Sequence, residues 1–422
     1  MPLKKLAWSE PLDFAKNISA NYGDEDWILL YSGLSDENRN STSYIALFPK
    51  EKIVSEDFFA AKKIVEQSQK KWFGYLSYEV GAQFEKMVKV KKSFIDLPKI
   101  FLINFSVILE FNHEKKTLIV EFENKKQLAE ILNWKAVEPL KSRLKAIEVK
   151  SNFTDKSYLS AISNIKKMIG RGDFYQTNLT RKFFGKFDKK QTPQNAFQLF
   201  LDLTKNSPAN YSSFLQFDGN SVISSSPELF LKIEKGEILS RPIKGTAPRG
   251  SRPEKDRKNI ENLKNSPKER AENLMIVDLV RNDLARICEP GSVAVKKLFA
   301  ITTYKNIHHM SSEVSGKLAK NFTAFDTIRA CFPPGSMTGA PKIKAMEVAA
   351  KKEKINRGIY SGCIGFFDEK KSANLSVVIR TLVVKGQKFE FQAGGAITFD
   401  SRPEAELKEV FSKAEMITKL LK

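Results

Sequence analysis

Residues 361–398 carry three runs, SGCIGFF (361–367), NLSVVIRTLVVK (374–385) and KFEFQAGGAIT (388–398), followed by the helix start Ser401-Arg402-Pro403-Glu404. Each run is rich in β-branched and aromatic residues and is bounded by turn residues, the pattern of strands following strands. Parallel βαβ units would place a helical segment between each pair. The same habit extends outward. Strands are expected at YSSFLQFD (211–218), SVISSS (221–226) and LFLKIE (229–234), and earlier at DWILLYSG (26–33), SYIALF (43–48), WFGYLSY (72–78), FLINFSVILEF (101–111) and KTLIVEF (116–122). A helix pattern covers 155–169, with Ile162, Ile165 and Ile169 on one face and Gly170 and Gly172 as stops. The fold class is therefore α+β, with helices and strands interleaved irregularly. DENRNSTS (36–43) reads as a loop. LKAIEVKSNFTDKSY (144–158) is the candidate seam between an N-terminal β-rich region, 1–150, and a second region, 151–422, in one compact unit.

The 422 residues include 70 Lys and Arg against 49 Asp and Glu, a formal net charge of +21. Such an excess invites a nucleic-acid reading, but its make-up opposes one. It is mostly Lys, scattered in ones and twos, and Arg-rich base-reading blocks are missing. Nucleic-acid binding is not expected; a solvated surface with a weak pull on small anions is. No uncharged apolar run approaches the ~18 residues of a membrane span, so no membrane association is expected. Three widely spaced Cys form no disulfide framework and point to a reducing, cytoplasmic setting.

Chemistry concentrates in a few places. Ser266-Pro267-Lys268-Glu269 has the form of a capping box, and Ser401-Arg402-Pro403-Glu404 repeats it. The first helix carries Glu269 and Glu272, the second Glu406 and Glu409; i, i+3 spacing puts each pair on one face. Carboxylates entering a buried helix need a partner, and hard oxygen ligands suit Mg²⁺. Lys244 stands in the Pro- and Gly-rich turn SRPIKGTAPRG (240–250), where apolar walls would lower its pKa and make it a nucleophile. Glu228 follows a strand in SSSPELF (224–230). The pieces PPGSMTGAPK (333–342) and AGGA (393–396) offer backbone N–H groups to an anion without matching a nucleotide-binding pattern. His308-His309 lacks zinc spacing and reads as structural. No Gly-x-Cys-x-Gly is present, so the chain has no visible means of releasing ammonia from glutamine.

Taken together, GDFYQTNLTR (172–181), SSSPELF, RPIKGTAPRG, ERAENLMIVDLVRNDL (269–284), NIHHMSS (306–312), FPPGSMTGAPKIKAME (332–347), YSGCIGF (360–366), IRT (379–381), AGGAI and EAELKE (404–409) resemble the chorismate-utilising enzymes. These comprise anthranilate, aminodeoxychorismate, isochorismate and salicylate synthases. The N-terminal 150 residues match more loosely, through DWILLYSG and FGYLSYEVGAQFE (73–85). The resemblance implies two large antiparallel sheets packed together with helices outside, and an N-terminal part that in some relatives holds tryptophan.

It also implies roles. Glu272 and Glu409 would bind Mg²⁺, with Glu269 and Glu406 behind them. Arg380 and Tyr360 would grip the enolpyruvyl carboxylate, with Gly245, Thr246, Thr338, Gly394, Gly395 and Lys413 as further substrate contacts. Glu228 would be the general acid and His309 would lie beside the reacting ring. Lys244 discriminates within the family. Anthranilate synthases resemble this stretch as PIAGT, whereas PIKGT resembles aminodeoxychorismate synthases, which aminate chorismate to 4-amino-4-deoxychorismate through two displacements at a Lys. Thr177 stands where isochorismate and salicylate synthases carry a water-activating Lys, making those activities the least favoured and anthranilate synthase the alternative. The implied partners are chorismate, a separate glutamine amidotransferase subunit supplying ammonia, and a downstream aminodeoxychorismate lyase.

Overall fold

Alternation along the strands sorts the apolar side chains into three layers. In strand Trp27–Tyr31, Trp27 and Leu29 enter one core cluster and Ile28, between them, enters another. In strand Ile100–Asn112, Phe101 and Ile103 join Ile28, whereas Ile100 and Leu102 face a third cluster. The computed structural model describes residues 1–34, 41–85, 92–134, 144–304, 307–368 and 372–422. Most of the loop expected at 36–43 lies outside these residues, as does Asn306; Thr42 and Ser43 already belong to strand Thr42–Ser55.

Among the described residues every strand pairing is antiparallel, and the main succession of pairings forms two arms. The first runs from Ala146–Ser151 through Gln176–Phe187, Lys388–Ile397, Thr381–Lys385, Asn220–Ser226, Tyr211–Phe217, Trp27–Tyr31 and Thr42–Ser55 to Ile100–Asn112. From the other edge of Ile100–Asn112 the second arm continues through Lys71–Leu76, Cys363–Asp368, Ser372–Val377, Leu229–Glu234, Glu237–Arg241 and Ile307–Lys317. The inner faces meet in the cluster holding Ile28, Phe101, Leu215, Val222 and Ile364. Helices cover the outer faces: Asp155–Gly170, Pro193–Asn206 and Pro403–Thr418 on the first arm, Phe58–Ser68, Pro267–Ala285 and Ala324–Cys331 on the second. Two packed antiparallel sheets with helices outside are thus present, joined into one hydrogen-bonded network through strand Ile100–Asn112. Each fully buried Phe or Ile in these layers contributes about 1.5–3 kcal/mol.

The single strand expected over 374–385 is two. Ser372–Val377 pairs within the second arm and Thr381–Lys385 within the first, and the chain turns between them at Arg380, whose φ is +53°. A straight strand cannot pair with two diverging sheets. The chain crosses similarly from Asn220–Ser226 to Leu229–Glu234 through Pro227 and Glu228. The two crossings are tied together: Val377 N donates to Glu228 O at 3.1 Å, Ser225 N to Arg380 O at 3.2 Å and Ser226 Oγ to Val377 O at 2.6 Å.

Candidate active site

The paired crossings open onto a cavity of about 540 Å³ lined by Glu228, Lys244, His309, Tyr360 and Arg380 on one side and by the Gly394–Gly395 backbone and two helices on the other. Burial raises the Glu228 carboxyl to about 7, against the pull of the Ser336 hydroxyl and the Lys244 charge. Burial also lowers the Arg380 guanidinium to about 10, so it remains charged at neutral pH. Arg380 holds its left-handed backbone at a functional position, where such strain is commonly stored. It reaches His309 Nε2 at 3.3 Å and donates to Ser207 Oγ at 3.4 Å. His308, by contrast, faces away to Thr303 Oγ1 at 2.9 Å and Asp256 Oδ1 at 3.0 Å, a satisfied structural histidine.

Lys244 lies on strand Ile243–Pro248 rather than in the turn expected of its Pro- and Gly-rich surroundings. The strand is irregular there: Ile243 pairs with Ser311 and Thr246 with His309, so the register slips across Lys244 and Gly245. Gly245 makes the slip possible. Its φ is +92°, and a Cβ would stand 3.0 Å from Glu269 Oε2. The Lys244 ammonium donates to Ser336 O at 2.9 Å. Burial lowers its pKa, opposed mainly by the negative charge of Glu272.

The two glutamate helices converge on this spot. Ser266 caps Pro267–Ala285 by accepting from Glu269 N at 3.3 Å, but the reciprocal half of the capping box is absent, and the Glu269 carboxylate turns to the cavity. In Pro403–Thr418 the cap position is Arg402. Ser401 instead donates to Glu406 Oε1 at 2.7 Å and fixes that carboxylate. A Cβ on Gly395 would lie 3.2 Å from Glu406 Oε2 and 3.6 Å from Glu409 Oε1, so backbone and carboxylates meet closely. Burial raises Glu269, Glu272 and Glu406 above the usual carboxylate range. Glu409 goes the other way: burial opposes the shift, but Lys413 at 2.6 Å holds it down.

A hard cation fits this donor set. The Lys268 ammonium already stands 3.8 Å from both Glu272 Oε1 and Glu406 Oε1, one positive charge between the two helices. Among the described residues no three metal-ligating side chains form a cage by themselves. An ion here would take one or two carboxylates and complete its shell with water or substrate oxygens, the habit of Mg²⁺.

Thr246, Gly394 and Lys413 also line the cavity. Thr338 does not. Its hydroxyl donates to Pro334 O and Gly335 O at 3.4 and 3.2 Å, behind a wall formed by Ser336 and Met337. Cavity residues that the sequence did not single out include Asn178, Ser207, Lys268, Tyr304, Ser336 and Gln392. Polar residues of this kind carry no periodic signal; only adjacency to recognised motifs could have marked Lys268 and Ser336.

The chain matches the family model of chorismate binding enzymes over residues 24–419. It is 35% identical over 350 residues to aminodeoxychorismate synthase component 1 of Escherichia coli (strain K12), covering 82% of this chain and 76% of that protein. It is 32% identical over 362 residues to anthranilate synthase component 1 of Lactococcus lactis subsp. lactis, covering 82% and 78%. The crystal structure of anthranilate synthase component I from Streptococcus pneumoniae superposes with a TM-score of 0.79 at 25% identity, over 91% of this chain and 93% of that one.

Proposed function

This chain belongs to the chorismate binding enzymes and acts on chorismate, and we propose that its reaction is amination at C4, yielding 4-amino-4-deoxychorismate for 4-aminobenzoate and folate biosynthesis. One observation carries the reading: Lys244 shares a cavity with Glu228, and burial pushes the two groups in complementary directions. A lowered ammonium yields a free amine more readily; a raised carboxyl retains a proton to give.

The reaction then divides into two displacements. The neutral Lys244 amine bonds to C2, both conjugated ring double bonds shift, from C1=C2 and C5=C6 to C1=C6 and C4=C5, and the C4–O bond breaks as Glu228 gives its proton to the departing hydroxyl, which leaves as water. Ammonia then bonds to C4, both double bonds return, and the C2–N bond breaks to release the Lys244 amine. The new C4 ammonium returns a proton to Glu228 and resets the site. Arg380 and Tyr360 hold the enolpyruvyl carboxylate, Arg by its two-pronged geometry. Gly245, Thr246 and Gly394 present backbone to the substrate, and His309, fixed by Arg380, flanks the ring. Glu272 and Glu409 would hold Mg²⁺ directly, with Glu269 and Glu406 behind them. The bound ion would supply a positive clamp for the ring carboxylate.

Ammonia would come from a separate glutamine amidotransferase subunit, and a lyase would complete 4-aminobenzoate. Among the described residues no helix is long and apolar enough to cross a membrane. The three buried free thiols suit a reducing, cytoplasmic setting.

A second reading, anthranilate synthesis, draws on the breadth of the match to anthranilate synthase component 1. One chromatogram separates them. With chorismate, Mg²⁺ and ammonium, the first reading requires 4-aminobenzoate only when a lyase is added; fluorescent anthranilate formed without lyase overturns it. Replacing Glu272 or Glu409 by Gln should shift the Mg²⁺ titration by an order of magnitude or more, and an unmoved titration removes the metal assignment.

A further inference from the structure

A second cavity of about 470 Å³, sharing no lining residue with the first, lies where Ser77–Glu79, Ile95–Lys99 and Glu353–Ile359 meet. In a chain of net charge +21 its wall is acidic: Glu56, Glu79, Asp96, Glu353 and Glu390 against Lys99 and Arg357. Most of these charges are already matched. Lys99 pairs with Glu56 at 2.8 Å, Arg357 with Glu353 at 2.7 Å, and Lys182, behind the wall, with Glu390 at 2.7 Å.

Asp96 is exposed to solvent, which leaves Glu79 as the partly enclosed exception. Its carboxylate accepts from Arg357 N at 2.7 Å and Gly358 N at 3.0 Å, yet among the described residues no ammonium or guanidinium comes within ion-pair distance. Glu79 is half-buried, and charges drawn out of water are normally paired or bound to an ion; desolvation raises its pKa against the more distant charge of Lys182. An independent sign of a missing ligand stands next to it. Ser77 and Tyr78 line the cavity and are 3% and 6% exposed, and their hydroxyl oxygens have no hydrogen-bond partner among the described residues. Native structures rarely leave such groups unsatisfied.

We propose that this second cavity binds a small organic cation, a primary ammonium carrying an apolar body, through the Glu79 carboxylate and the Ser77 and Tyr78 hydroxyls. The wall selects among cations. Among the described residues Glu79 is the wall's one carboxylate that is neither exposed nor ion-paired, against the four helix glutamates gathered at the first cavity, which disfavours a metal ion. An amino acid would bring a carboxylate that no uncommitted cation among the described residues of the wall can meet, because Lys99 and Arg357 are paired. Ile95, Leu97, Ile355, Ile359 and Val383 offer an apolar bed for the body of the amine. The site also adjoins the first cavity. The Arg357 guanidinium lies 4.5 Å over the Tyr78 ring and donates to Met337 O and Asn178 O, both in residues of the first cavity's wall.

Isothermal titration of the full chain with ammonium, butylammonium and benzylammonium, against benzyl alcohol as the neutral isostere, tests this. Saturable one-to-one binding of an organic cation is expected, at least tenfold tighter than the alcohol and undiminished by saturating chorismate. Glu79→Gln should weaken it tenfold or more, and Tyr78→Phe severalfold. Binding by none of the cations, equal binding of the alcohol, displacement by chorismate, or unchanged affinity in Glu79→Gln each overturns the proposal. Should Glu79→Gln fail to fold, unchanged affinity in Tyr78→Phe does the same.

Discussion

Directly behind Asn178 and Met337 of the active-site wall lies a seam of buried charge: Arg357 with Glu353, and Lys182 with Glu390. The cavity in front uses the same kinds of side chain in the opposite state. In the seam every charge has its partner. Glu353 also accepts from Thr180 N at 2.9 Å, and Arg357 spends its remaining donors on two carbonyls and Ser361. In the cavity, Lys244 rests on a carbonyl, while burial holds Glu228, Glu269, Glu272 and Glu406 above the ordinary carboxylate range. Paired charges give a rigid backing; charges left short of partners are available to substrate, metal and proton transfer. The two regions should therefore respond to mutation in opposite ways.

Lys244→Ala gives the largest effect. Losing the nucleophile should lower C4 amination by about 10³-fold or more, while urea unfolding stays close to wild type, because the lost side chain held only one carbonyl. Normal production of aminodeoxychorismate by the variant removes the covalent step. Arg357→Met attacks the other region. Breaking a buried pair by removing one partner typically costs 3–5 kcal/mol, so the denaturation midpoint should fall sharply. A midpoint within error of wild type would erase the distinction drawn between the regions.

How far each region could be read beforehand follows from its chemistry. The apolar strands were legible because Trp27, Ile28 and Leu29, or Phe101 to Ile103, alternate between two cores, and periodicity reports that directly. Strands Gln176–Phe187 and Ile307–Lys317 escaped it. They bury Gln176, Thr177, Asn178, Thr180, Arg181 and Lys182, or His308, His309, Ser311 and Ser312, and a buried polar strand looks like a surface loop. The crossing at Arg380 escaped it too, because a strand divided between two sheets is still one apolar run. The glutamates were marked by helix spacing and Lys244 by family resemblance. Nothing local showed that Ser401 orients Glu406 or that Lys268 stands between the helices, since those contacts arise from tertiary packing alone.

Glu228→Gln sharpens the contrast, since one change should move stability and activity in opposite directions. The folded carboxyl sits at about 7 against an ordinary 4.5, so the folded state binds this proton more tightly than the unfolded state. Its contribution to stability is full below about pH 4.5 and is lost as the pH rises through 7. Gln avoids that loss, so the variant should gain up to about 3 kcal/mol over wild type at pH 8 and little at pH 4. Its amination rate should fall about 10²-fold with the general acid gone. A variant less stable than wild type at pH 8 would mean that Glu228 is a paired structural charge like Glu353.

The smallest effect is in the shape of the pH profile. At fixed free ammonia, the slope of log kcat/KM against pH for the wild type should fall by one unit as the pH passes about 7, where Glu228 loses the proton it must give. On the acid side the profile should climb with pH as Lys244, lowered from 10.5 by burial, yields its neutral amine. Removing the acid must remove only that break. Glu228→Gln should therefore keep the Lys244 rise without a change of slope near pH 7. A break that persists in the variant assigns the titrating proton to another group, and the candidates in the same wall are the glutamates around Lys268, whose charges the metal would otherwise neutralise.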